Sequence, residues 1–178
     1  PEAHSNLGNT LQELGRLDEA EASYVQAIAL KPDFAEAHYN LGNTLQELER
    51  LVESEASYKQ ALALKPDLAD AHSNLGATLK ELGRLDEAEA SYKQAIALKS
   101  DLAEAHNNLG ITLQELGRLE DAESSYTQAM ALKLDYVEAH NNLGITLQEL
   151  GRLDESAASF TQAIALKADY TEAHNNLG

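Results

Sequence analysis

The stretch Ala3-His4-Ser5-Asn6-Leu7-Gly8-Asn9-Thr10-Leu11-Gln12-Glu13-Leu14-Gly15 decides the fold, because it returns from Ala37, Ala71, Ala105, Ala139 and Ala173, each time 34 residues on. A fixed period of this length marks an array of small units, each packed on its neighbours, and overrides the one-domain prior that 178 residues would suggest. Five full repeats span residues 1–34, 35–68, 69–102, 103–136 and 137–170, with a partial sixth over 171–178, and they read as a single array. Eighteen of the 34 positions are identical in all five. The departures among the rest therefore carry most of the information.

Within the stretch, Ala3, His4, Leu7, Gly8, Leu11 and Leu14 fall on one side of a helical wheel, and Glu2, Ser5, Asn6, Asn9, Gln12 and Glu13 on the other. This is an amphipathic helix ending near Leu14. Gly15 follows where a left-handed residue closes a helix, and Arg16 offers positive charge to the helix C-terminus. A second helical pattern starts at Asp18, with Glu21 in capping-box spacing, and runs through Ala20, Tyr24, Ala27, Ile28 and Leu30. Pro32 blocks its continuation, and Asp33 with Glu36 forms the next capping-type pair. Each repeat is thus a helical hairpin with no linker to the next.

Three departures predict local differences. Glu49 replaces the glycine of the other repeats, a change costing about 1 kcal/mol if the site stays left-handed. With Val52 at the cap position and Ser54 at a small buried position, the second repeat is expected to be a weak point. Ser100, Leu134 and Ala168 replace the prolines at residues 32 and 66, so the last three second helices are expected to run on.

Thirteen Lys and Arg stand against thirty Asp and Glu, a formal net charge of −17 that repels phosphate backbones and anionic lipid. Nucleic acid is excluded as a partner on this ground. No apolar run reaches the ~18 residues of a membrane span, and a cytoplasmic setting is the expectation. With no cysteine, disulfides and thiolate metal sites are excluded.

The spacing His4-x-x-Leu7-Gly8-x-x-Leu11, then Ala20-x-x-x-Tyr24, Ala27 and Pro32, resembles the tetratricopeptide repeat over the whole chain. His stands in place of the usual Trp, and Leu in place of the usual Tyr of the first helix. The resemblance implies an all-α fold, an α-solenoid in which antiparallel helix pairs wind as a right-handed superhelix and the first helices line a concave groove. It implies a non-catalytic scaffold for protein partners. The run Asn6-Leu7-Gly8-Asn9 is similar to the repeats of O-linked N-acetylglucosamine transferase, where an asparagine at this place forms a ladder along the groove. The matching residues are Asn6, Asn40, Asn74, Asn108, Asn142 and Asn176. Chaperone-binding members instead present a clamp of Lys and Arg; here the groove carries Glu2, Glu36, Asp70, Glu104 and Glu138, with Lys80 its one clear cation.

A primary amide offers an acceptor and two donors, so the Asn row can pair with the backbone of an extended peptide or bond a neighbouring helix and fix the repeat geometry. Around it lie Gln12, Gln46, Gln114 and Gln148, then Asn9 and Asn43, which give way to Ile111 and Ile145 in the second half, where a ligand could place an apolar residue. At the remaining variable place stand Ser5, Ser73, Asn107, Asn141 and Tyr39, the lone aromatic anchor. The row His4, His38, His72, His106, His140 and His174 cannot converge on one ion, because packed helices lie ~8–10 Å apart and metal bonds span about 2 Å. These histidines are assigned to packing, and no metal, cofactor or catalytic residue is expected.

The reading that follows is an interaction scaffold holding an extended or helical protein segment that carries some positive charge. Two alternatives remain: a substrate-docking arm of a larger enzyme such as a glycosyltransferase, and a structural solenoid that stacks head to tail into a filament, since the sequence stops midway through a first helix without a polar capping helix.

Overall fold

The computed structural model describes residues 1–177. Among them are eleven helices and no strand: α1 (Glu2–Glu13), α2 (Leu17–Leu30), α3 (Ala35–Glu47), α4 (Leu51–Leu64), α5 (Ala69–Glu81), α6 (Leu85–Leu98), α7 (Ala103–Glu115), α8 (Leu119–Leu132), α9 (Val137–Glu149), α10 (Leu153–Leu166) and α11 (Thr171–Leu177). They form the helical hairpins of an all-α solenoid. No described helix is long and apolar enough to cross a membrane.

The helices group into two compact units, Pro1–Leu98 and Lys99–Gly178. In the first, α1 pairs with α2, α3 with α4 and α5 with α6, while α2 packs on α3 and α4 on α5. In the second, α7 pairs with α8 and α9 with α10, and α8 packs on α9 and α10 on α11.

Each hairpin closes on a glycine and an aromatic ring. A Cβ placed on Gly8, Gly42, Gly76, Gly110 or Gly144 would lie 2.5–2.9 Å from the ring of Tyr24, Tyr58, Tyr92, Tyr126 or Phe160. The five rings are almost wholly buried, so the bare glycine lets the first helix settle onto the ring of the second. Ala20, Ala27 and their repeats are fully buried beside them, small enough to keep the helices close.

The first helices end in a Schellman motif. Gly15 at φ 71° donates its N–H to Gln12 O at 2.9 Å, and Arg16 donates to Leu11 O at 2.9 Å. Glu49 makes the same pair of bonds at φ 60°, so the site does stay left-handed without glycine.

Two sequence expectations are corrected. The second helices begin at Leu17 and its repeats, one residue before the proposed cap, and neither Arg16 nor Phe34 makes a side-chain capping bond. Asp18 and Asp33 therefore do not cap, and Glu21 serves a different partner. Nor do helices run on where proline is missing: α6, α8 and α10 stop at Leu98, Leu132 and Leu166, in register with Leu30 and Leu64.

The turn itself explains the second result. Lys133 and Lys167 adopt extended backbone, as Lys31 does at φ −146°, and the N–H of the residue three further on returns to the lysine carbonyl at 3.1–3.2 Å. The lysine ammonium covers the ring of that same residue, Phe34, Tyr136 or Tyr170, at 4.5–5.7 Å from its centre. Histidine adds a tie from the following helix. His38 and His72 donate Nε2–H to the carbonyls of Pro32 and Pro66 at 3.0 Å, His106 to Ser100 at 3.2 Å and His174 to Ala168 at 2.9 Å. The carbonyl of the variable residue takes the bond, so its side chain is free to change.

Candidate functional site

The first helices carry the polar face seen in the sequence, and in each unit it borders a concavity. In the first unit a space of about 580 Å³ is lined by Gln12, Asn43, Gln46, Glu47, Glu49, Asn74 and Glu81. In the second, one of about 370 Å³ is lined by Ile111, Gln114, Glu115 and Glu149.

The floor of the first concavity is a network fixed from below. Tyr24 Oη donates to Asn9 Oδ1 at 2.7 Å and to Gln12 Oε1 at 3.2 Å, and Tyr58 Oη donates to Asn43 Oδ1 at 2.7 Å and to Gln46 Oε1 at 3.0 Å. Burial raises the Tyr24 hydroxyl to about 12, with Glu47 and Glu13 adding to the rise, so it stays protonated and donating.

The asparagine row runs from repeat to repeat. Asn40 Nδ2 donates to Asn9 Oδ1 and Asn74 Nδ2 to Asn43 Oδ1, both at 2.9 Å, and Asn74 also reaches Tyr39 Oη at 3.2 Å. In the second unit the acceptor moves: Asn142 donates to Asn107 Oδ1 at 3.2 Å and Asn176 to Asn141 Oδ1 at 3.0 Å. The move is coupled to sequence. Where Ile111 and Ile145 take the place of Asn9 and Asn43, Asn107 and Asn141 appear four residues earlier, so each of these amides still finds a carbonyl on the preceding repeat.

Asn107 and Asn141 are consequently 4% and 3% exposed and lie beneath the groove surface. Asn40, Asn74, Asn108 and Asn142 are half-buried, while Asn6 and Asn176 are exposed. Asn108 Oδ1 accepts from Asn107 Nδ2 at 3.4 Å. Tyr39 is half-buried and tilts against Tyr58, ring centres 6.0 Å apart. Ile111 lines its concavity, whereas Ile145 packs on the core around Phe160. Gln148 is exposed, with Lys80 half-buried.

Many carboxylates of the second helices are met by cations, although Asp18, Asp86, Glu120 and Asp154 enter no ion pair with any described residue. Arg50 holds Glu21 of the preceding repeat at 2.6 Å and Glu53 at 2.5 Å; Arg84 holds Glu55 at 2.7 Å and Glu87 at 2.6 Å; Arg152 holds Glu123 and Glu155 at 2.6 Å. Lys59, with Arg84, keeps the Glu55 carboxyl below its ordinary range, and Arg50 does so for Glu53. These arginines clasp successive repeats, a role that sequence spacing alone did not show, because the partners are 29 residues apart.

On or just after the first helices, five carboxylates at or near the groove edge lack such partners. Glu13, Glu47, Glu81 and Glu149, and Glu49 in the turn after α3, enter no ion pair with any described residue. Glu149 Oε1 accepts from Gln114 Nε2 at 2.7 Å, and Glu47 accepts from Gln12, both neutral donors. Burial raises the pKa of Tyr126, and the charges of Glu115 and Glu149 raise it further. Glu13, Glu47, Glu49, Glu81 and Glu149 thus carry charge that no described cation pairs.

A family profile described as TPR repeat matches residues 8–49, and one described as tetratricopeptide repeat matches residues 33–101, 67–135 and 101–169. No curated protein sequence matches significantly. Solved structures do. YrrB, described as a TPR protein with an unusual peptide-binding site, is similar with a TM-score of 0.84 and 24% identity, over 97% of this chain and 89% of its own. MamA from Desulfovibrio magneticus gives a TM-score of 0.88 and 20% identity over 95% of this chain and 96% of its own. A thermophilic TPR protein of Thermus thermophilus gives 0.72 and 25% identity over 99% and 96%.

Proposed function

Because the chain belongs to the tetratricopeptide repeat family, a fold of protein-interaction scaffolds, we propose that its first-helix face holds a basic segment of a partner protein in extended form. The observation that carries this is a set of groove-edge carboxylates without ion-pair partners. Glu13, Glu47, Glu49 and Glu81 edge the first unit unpaired, while Glu21, Glu53, Glu55 and Glu87 on the second helices are neutralised by arginine and lysine. A lysine or arginine arriving there gains an ion pair without breaking one. The network beneath adds amide groups for a peptide backbone: Asn40 commits one donor to the preceding repeat and keeps a carbonyl oxygen and a second N–H, while Asn74, which donates to Asn43 and Tyr39, keeps its carbonyl oxygen. YrrB, described as carrying a peptide-binding site, offers a parallel for such use of this fold.

The test is binding of a fluorescent twelve-residue peptide of alternating Lys and Ser, read by anisotropy. It should bind in low salt, weaken as salt rises, and weaken several-fold further in a Glu47→Gln, Glu81→Gln double variant, as expected for pairs of about 0.2–1 kcal/mol each. The matched change Asp18→Asn with Asp86→Asn, on second helices, should leave binding unchanged. Equal binding of a Glu and Ser peptide, or equal loss in both double variants, overturns the proposal.

A further inference from the structure

The two concavities differ in what their floors can accept, and the difference points to the kind of segment the protein selects. In the first unit the floor is amide: Asn43, Gln46 and Asn74. In the second, Ile111 stands where Asn43 stood, and the one amide beside it is fully engaged as an acceptor. Gln114 Oε1 receives Tyr126 Oη at 3.1 Å and Thr146 Oγ1 at 3.2 Å, and its Nε2 donates to Glu149. A polar side chain lowered onto Ile111 loses water and finds the Gln114 carbonyl already occupied, whereas an aliphatic one buries surface against Ile111. Above it, Glu149 has one oxygen bound by the neutral Gln114 amide and the other free, with no cation paired to it. At about 370 Å³, roughly a dozen waters' worth, the space has room for one aliphatic side chain beneath a neighbouring ammonium or guanidinium.

We infer that the second unit is a specificity pocket for an aliphatic residue adjacent to a lysine or arginine in the bound segment, with Ile111 as the apolar floor and Glu149 as the charged wall. This rests on the reading of the first-helix face as a groove for basic segments. The occupant is a protein segment and not a free polyamine, because a polyamine brings charge without an aliphatic branch to cover Ile111. The first unit, by the same logic, reads charge with little demand on side-chain shape.

Two fluorescent peptides of equal length and charge test it. One repeats Lys-Leu-Ser and the other has Ser in place of each Leu. The protein should bind the Leu peptide about tenfold more tightly, the gain expected from burying part of one aliphatic side chain. Ile111→Asn should abolish that preference and bring the two peptides to equal affinity; the variant restores the residue that repeats one and two place over Tyr24 and Tyr58. Ile111→Val, which removes one methyl group, should retain part of the preference and guards against a folding defect in the first variant. Equal binding of both peptides by the natural protein overturns the pocket but leaves the groove reading standing, as does a preference that survives Ile111→Asn. Failure of both peptides to bind overturns both readings.

Discussion

Glu49 sits at φ 60° where four sister repeats place glycine at 71–75°, and it keeps both bonds of the helix-ending motif. The turn is therefore imposed by its neighbours against the steric preference of an L-residue. Glu49→Gly should raise the midpoint of chemical unfolding by an amount equivalent to about 1 kcal/mol, with the slope unchanged. This residue was legible in the sequence, because the repeat supplies its own comparison at one fixed position. The exchange of acceptors between Asn9 and Asn107 was not. Positions five and nine look like independent surface variation until the structure shows both serving the amide of the next repeat. Read singly, Asn107 suggests a groove contact; read with Ile111, it supplies the acceptor that Ile111 lacks.

At the scale of the helix, the hairpins were readable from apolar spacing, and the glycine and aromatic columns at positions eight and twenty-four proved to be one contact. Gly110→Ala tests it. The substitution gains up to about 1 kcal/mol of helix propensity, yet its Cβ would lie 2.6 Å from Tyr126 Cε1 in a packed interior. We expect a net loss of about 1–3 kcal/mol, measured by unfolding in denaturant. Helix starts were misread for a physical reason. Asp18 and Glu21 have the spacing of a reciprocal cap, but the helix begins a residue earlier and Glu21 is drawn instead to Arg50 of the next repeat. Local pattern rules see only local partners. Proline misled in the same way: the junction is closed by the lysine carbonyl, the ring beneath its ammonium and the histidine of the following helix, none of which depends on residue 32 or its repeats.

For the molecule as a whole, charge and proton binding pull in different directions as pH falls. The net charge of −17 shrinks toward the isoelectric point near 4.6, which relieves self-repulsion. His140 acts the other way. Burial lowers its folded pKa below the ordinary 6.5, partly offset by its bond to the Leu134 carbonyl, so the unfolded chain binds the proton more readily. Stability tied to this residue is present above about pH 6.5 and is lost as pH falls toward the folded value. Between pH 7.5 and pH 5 the natural protein should therefore lose melting temperature relative to His140→Gln, and parallel curves would exclude the linkage. The carboxyls held low by Lys59, Arg50 and Arg84 contribute stability above about pH 4.5 and lose it only below. One further property follows from the double acceptance at Asn9 and Asn43. With Tyr24 or Tyr58 pressing a proton on the carbonyl from beneath and Asn40 or Asn74 pressing one from the side, neither amide can turn over. Their rotational freedom is surrendered when the chain folds, so a partner meets rotors already stopped, and about 0.5–1.5 kcal/mol of ordering cost per side chain is absent from its association.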